Sequence, residues 1–174
     1  MSSLINYFYG TSTLSWLALF PLTYLAHIAE EYWGGEGYST YLFKNYGIEL
    51  SAPRFLVLQG VGLSLMLAGI LLAASLRFPY TMLAILAAIV LSNGLVHAMR
   101  SIVSALYGPG LVTAIAVWIP LGYATLVSLW GRMNAGRFLL CAAIGVAISF
   151  VVEVIAMRGG KLPGGRSSRQ EQER

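Results

Sequence analysis

Residues 55–76 read FLVLQGVGLSLMLAGILLAASL. This run, Phe55 to Leu76, holds no charged side chain. About 20 residues of helix cross the hydrocarbon core of a bilayer, so the run is long enough to span. A barrel strand would alternate apolar and polar residues over about ten positions. This run is unbroken, which predicts a transmembrane helix.

Working outward, four more segments match it. Leu14 to Trp33 precedes it. The next begins after Pro79 and runs to Ser101, or to Tyr107 if the helix continues. Then come Leu111 to Trp130, with Pro120 near its middle, and Phe138 to Met157. The fold class read from this pattern is all-α: a polytopic membrane helix bundle with five transmembrane helices. Residues 1–158 form a single transmembrane domain, and residues 159–174 a basic, disordered cytoplasmic tail. The composition agrees. The 174 residues are 57% hydrophobic and 10% charged, with a mean hydropathy of +0.72. A soluble domain carries about 25% charge, so an ordinary soluble enzyme, a disordered protein and a secreted disulfide scaffold are excluded. The single Cys, Cys141, is read as a packing residue. Met1 to Thr11 hold no Lys or Arg, so a cleavable signal lacks its basic start and the first apolar segment is expected to be retained.

The connections supply topology. Gly34 to Arg54 is the longest and predicts a turn and a short interfacial helix around Tyr41, Phe43 and Tyr46. Tyr107-Gly108-Pro109-Gly110 reads as a helix stop. Tyr and Trp near the segment ends read as interface anchors. Arg77, Arg132 and Arg137 fall on one side of the membrane. Lys44, Arg54, Arg100 and the five basic residues from Arg158 onward fall on the other. The richer side is assigned to the cytoplasm, with the N-terminus outside, in a multi-pass protein of the cytoplasmic (plasma) membrane. The net charge of +4 therefore indicates anionic membrane lipids as partners, and no nucleic acid. The oligomeric state is left open.

Ionisable residues inside spans are costly, and each requires a reason. Here they are His27, Glu30 and Glu31 in the first segment, His97 and Arg100 in the third, and Glu153 in the fifth. The amides Gln59 and Asn93 join them. Antiparallel helices alternate direction, yet these residues share one depth. At 1.5 Å per residue, His27, Gln59, His97 and Glu153 fall roughly 5–15 Å inside the cytoplasmic boundary. They also share faces. Thr23, His27, Glu30 and Glu31 form one stripe, and Asn93, His97, Arg100 and Ser101 another. Gly145, Ser149 and Glu153 repeat every four residues, as do Gly60, Ser64 and Ala68. Small residues at that spacing would admit a neighbouring helix.

A polar pocket at one end of the bundle follows, and its chemistry has two forms. In the first, His27, Glu30, Glu31, His97 and Glu153 supply ligands for Zn or non-haem Fe. Glu31 or Glu30, whichever is not a ligand, acts as general base on water activated by the metal, Arg100 holds an anionic headgroup, and Gln59 and Asn93 orient ligands from outside. In the second, His–Glu pairs move protons without a metal, as in an isomerase, a hydratase or a proton-coupled transporter. Blander readings stand beside both. Glu30 and Glu31 next to Trp33 fit an interface, His97 fits a backbone hydrogen bond, Arg100 fits a snorkelling side chain, Glu153 fits a salt bridge with Arg100 or His97, and the set fits a structural polar network.

The string His27-Ile28-Ala29-Glu30-Glu31 resembles the HXXEE-motif family of small bacterial membrane proteins. The Asn93 and His97 pair and the later Tyr107-Gly108-Pro109-Gly110 are similar to its pattern, and the resemblance spans roughly residues 20 to 120. It implies a multi-span membrane protein with functional His and Glu residues. The family has no assigned activity, so it supplies no substrate. The expectation is a membrane enzyme acting on a lipid or other lipophilic small molecule. The alternative is a non-catalytic membrane protein, either a small transporter or an interaction subunit.

Overall fold

A computed structural model describes residues 2–159. The basic tail expected beyond that point lies outside the described residues. Six helices make up the described chain: α1 (Ser2–Trp33), α2 (Tyr38–Tyr46), α3 (Ala52–Ser75), α4 (Pro79–Ser104), α5 (Leu111–Leu129) and α6 (Ala135–Met157). No strand occurs among the described residues. Four helices, α3 to α6, are long and apolar enough to cross a membrane. The short helix expected between the first two apolar segments is α2, although Tyr41 is buried rather than interfacial.

Local sequence sets the helix ends. Pro sits in the first turn of α3 and of α4, where its missing N–H costs nothing. The Asn134 side chain caps α6 by accepting from Gly136 and Arg137 N–H. Helix α5 begins with one α-helical turn, then widens into a π-helical stretch at Ala114–Trp118. There the Ile119 N–H reaches back to the Ala114 carbonyl. The widened turn lies just before Pro120, which can give no N–H and would crowd the carbonyl four residues earlier in a regular helix.

Helix α4 is the centre of the bundle, packed by α6, α5, α3 and α1. Its buried stretch is mostly small or aliphatic: Leu83, Ala84, Leu86, Ala87, Ala88 and Val90. Gly145 of α6 sits on the Ile85 carbonyl and Gly122 of α5 on the Ala87 carbonyl. A Cβ at either position would collide with backbone. The outward faces are apolar instead: Val57, Leu71, Ile102 and Phe150 are each more than 60% exposed.

The expected small-residue stripe on α3 does not pack. Gly60, Ser64 and Ala68 face outward, and nothing lies within 4 Å of a Cβ at Gly60. The close approaches on α3 are Gly62, against the Tyr24 hydroxyl, and Gly69, against Met82. The α6 stripe does pack, with Gly145 and Ser149 buried.

Candidate metal centre

The inward stripe of α1 is Leu17, Phe20, Tyr24, His27 and Glu31, at steps of three and four residues. Tyr24 occupies the place that the sequence reading gave to Thr23. The Thr23 hydroxyl donates to the carbonyl of Phe20 in its own helix. Helix α4 brings His97 to the same point. His27, Glu31 and His97 are 2%, 4% and 5% exposed, so all three polar groups are withdrawn from the surface.

Their ligand atoms converge. Glu31 Oε1 lies 3.7 Å from His27 Nε2 and 3.5 Å from His97 Nε2, and all three atoms fall within 4.8 Å of one another. The two imidazoles meet edge to face, with centroids 4.9 Å apart. Separations of 3.5–3.7 Å are too long for N–H···O hydrogen bonds. They match the edge of a tetrahedron of ligands about 2.1 Å from a shared ion, which is ~3.4 Å. These three buried residues can therefore hold a metal ion.

Each ligand is held from behind. His27 Nδ1 is 2.7 Å from Thr113 Oγ1, and Thr113 Oγ1 is 2.6 Å from Glu30 Oε2. A carboxylate only accepts, so the Thr113 hydroxyl donates to Glu30 and accepts from His27 Nδ1–H. That chain fixes the tautomer and leaves the His27 Nε2 lone pair facing Glu31. The His97 ring faces the backbone of Pro109, which has no N–H, so the contact is with its carbonyl. Glu31 Oε2 accepts from Gln59 Nε2 at 2.7 Å, and Gln59 Oε1 accepts from the Tyr24 hydroxyl at 2.5 Å. Glu31 thus offers one oxygen inward and keeps the other tied. The Trp118 indole stacks on His27 with centroids 3.7 Å apart.

The two adjacent glutamates have separate tasks. Glu30 was expected as a ligand or catalytic base, but it turns away from the cluster. Its Oε1 accepts from the Tyr107 hydroxyl and from Val112 N–H, both at 2.8 Å. Its Oε2 accepts from Thr113 N–H at 2.7 Å and from the Thr113 hydroxyl. Four donors saturate the carboxylate and pin the start of α5 to α1. Burial and the hydrogen bond to Glu30 push the Tyr107 phenol up to about 12, so it remains a donor at neutral pH.

Glu153, expected in the ligand shell, is ion-paired with Arg100 instead. Arg100 also donates to the Tyr38 hydroxyl at 3.2 Å and lies 6.0 Å from the Tyr46 ring centre. Asn93 stands near the cluster with its Oδ1 buried and without a protein partner. Gln59 donates to Glu31 from α3.

Several residues of the site lay outside the sequence reading. Thr113, Trp118 and Tyr24 sit in apolar helices where nothing in the composition marks them. The Tyr107–Gly110 segment was read only as a helix stop, yet Gly108, Pro109 and Gly110 are buried. Gly110 has φ +90°, and a Cβ there would lie 2.8 Å from Cε1 of both histidines. Backbone conformation and space both require glycine at this position.

The model for proteins of unknown function with an HXXEE motif matches residues 18–125. The chain belongs to the HXXEE family. Its motif residues have distinct places here: His27 and Glu31 belong to the cluster that could hold a metal ion, and Glu30 is linked to His27 through Thr113. The matched stretch contains the whole cluster and its supporting residues, while Glu153 lies beyond it. No curated protein matches the chain, and no solved structure does.

Proposed function

We propose that this HXXEE protein is an integral membrane metalloenzyme acting on a lipophilic substrate, with His27, Glu31 and His97 as the protein ligands of a zinc or ferrous ion. The observation that carries this reading is that Glu31 Oε1 lies near a tetrahedral-edge distance from both Nε2 atoms, with Nδ1 of His27 already engaged by Thr113. A structural polar network would close these gaps to hydrogen-bonding distance. Two His and one carboxylate suit zinc or non-haem iron and leave coordination positions for substrate. When bound, the ion would polarise a carbonyl or a water molecule.

The chain's own residues perform the remaining tasks. Thr113 and Glu30 hold His27 in one tautomer, and Gln59 and Tyr24 hold Glu31 in one rotamer. Pro109 and Gly110 cap the site. In this reading α1 is a fifth span beside α3 to α6. It is 32 residues long, and the site residues His27, Glu30 and Glu31 are among those that lower its hydropathy. The basic connections place α2 and the Tyr107–Gly110 segment on the cytoplasmic side, with the N-terminus outside.

The test is elemental analysis of protein purified in detergent without chelators. Wild type is expected to hold about one ion per chain. His27→Ala, His97→Ala and Glu31→Gln should each lower that at least tenfold while retaining helical circular dichroism. A folded wild type without stoichiometric metal would overturn the metalloenzyme reading and favour proton chemistry or transport.

A further inference from the structure

A cavity of about 300 Å³ extends from the metal centre along α3, α4 and α6. Its polar end is formed by His27, Glu31 and His97. Away from that end its walls are aliphatic and thioether side chains, including Met66, Met82, Ile85 and Val152. Two unpartnered polar atoms belong to its lining residues. Asn93 Oδ1 and Trp118 Nε1 are buried and have no hydrogen-bond partner among the described residues. Buried polar atoms are normally satisfied, so two orphans around one cavity point to a ligand that completes them. One is an acceptor and the other a donor, as a hydroxyl or a carbonyl requires of its surroundings.

Charge narrows the class. Two carboxylates, Glu31 and Glu153, line the cavity, and among the described residues no Lys or Arg does. Arg100, the guanidinium nearest in sequence to His97, is already paired with Glu153. A phosphate or carboxylate headgroup would meet no free cation of the described residues there. Volume narrows it further. The space beside the cluster is about 300 Å³. That suits one chain of medium length and not the two chains of a phospholipid.

The side wall shows the route. Both α3 and α6 line the cavity, yet they pack on α4 and hardly touch one another. Leu65 of α3 and Ile148 of α6 line the cavity while 69% and 41% exposed on the outer surface. A residue that faces both cavity and exterior stands at a rim.

We infer that the site takes a single-chain lipophile with an uncharged polar head, an alcohol, aldehyde or ester, which enters sideways from the bilayer between α3 and α6. The head reaches the metal centre and is hydrogen-bonded by Asn93 and Trp118, and the chain lies against Met66, Met82 and Ile85. This names the substrate class of the site proposed above and rests on that reading for the role of the metal, although the cavity and its portal do not depend on an ion.

The test uses the full chain in phosphatidylcholine nanodiscs with three photoactivatable probes. These are a ten-carbon diazirine alcohol, the phosphate ester of the same alcohol, and a two-chain diazirine phosphatidylcholine. Crosslinks are mapped by mass spectrometry, and metal content is measured on the same samples. The alcohol is expected to label α3 and α6 around Leu65, Met66, Ile148 and Val152, at least fivefold more than the phosphate ester does. Excess unlabelled decanol should compete the signal away. Leu65→Trp and Ile148→Trp should narrow the rim and reduce labelling at least fivefold with metal content unchanged. Asn93→Ala should weaken competition by decanol several-fold. Preferential capture of the phosphate ester or of the two-chain lipid would overturn the assigned class. Labelling unaffected by either rim tryptophan would overturn the portal. Metal-loaded protein that captures no alcohol would refute this inference and leave the metal centre standing. Specific capture by protein that binds no metal would do the reverse.

Discussion

The two halves of α4 lie in one helix, but they bury different chemistry. From Leu83 to Val90 the buried residues are small or aliphatic, and Gly122 and Gly145 let α5 and α6 rest on its backbone. From Asn93 to Arg100 the inward residues are an amide, an imidazole and a guanidinium. The cavity runs beside both halves, from Met82 to His97, but only in the second half do side-chain hydrogen bonds and an ion pair add to contact as a restraint. Tight packing supplies rigidity in the first half. In the second, Tyr38 and Glu153 hold Arg100, and the Pro109 carbonyl holds His97. The difference separates a scaffold end from a site end.

Paired glycine substitutions should break the symmetry most sharply. Gly110→Ala would force a Cβ against both histidines at a positive φ. Metal affinity should fall at least tenfold, with stability lower by about 1–3 kcal/mol. Gly131→Ala, at φ +81° beyond the scaffold end with nothing near its Cβ, should cost about 1 kcal/mol and leave the metal untouched. Elemental analysis and thermal unfolding in detergent would read both. Equal metal loss in the two variants would erase the distinction between the ends.

The adjacent glutamates sharpen it next. Glu31→Gln removes a ligand and should abolish stoichiometric metal. Glu30→Gln and Thr113→Val disturb only the support of His27, so affinity should drop about 10–100-fold with binding still measurable in competition with a chelator. Identical loss in Glu30→Gln and Glu31→Gln would show that Glu30 also binds the ion.

The Arg100–Glu153 pair gives a smaller effect. Both side chains are mostly withdrawn from the surface, at 18% and 17% exposure. Arg100→Ala leaves Glu153 uncompensated and should lower stability by roughly 2–4 kcal/mol, and Arg100→Met with Glu153→Leu should restore most of it. Metal content should persist in both, because neither residue belongs to the ligand cluster. At the scaffold end, Cys141→Ala should change stability by about 1 kcal/mol or less and leave metal content unaltered.

Much of this contrast was legible in the sequence for a physical reason. Polar groups are expensive in an apolar helix, so His27, Gln59, His97 and Glu153 stand out, and antiparallel counting puts them at one level. The division of labour between Glu30 and Glu31 was not legible. Neighbours on a helix differ by only about 100°, and both lie on the polar side of α1. Thr113 and Trp118 were invisible because a Thr or Trp in an apolar helix has many ordinary uses. Gly60, Ser64 and Ala68 misled because small residues fit a helix contact and an exposed face equally well. The Tyr107–Gly110 segment was read as a helix stop, but α4 already ends at Ser104 with Ala105 in the left-handed conformation, and Gly108, Pro109 and Gly110 press into the bundle beyond it.

X-ray absorption at the metal edge of the purified protein tests the central claim most directly. Two imidazoles and one carboxylate oxygen at about 2.0–2.2 Å are predicted, with one imidazole lost in His97→Ala. A spectrum of oxygen scatterers alone, or one unchanged in His97→Ala, would contradict it.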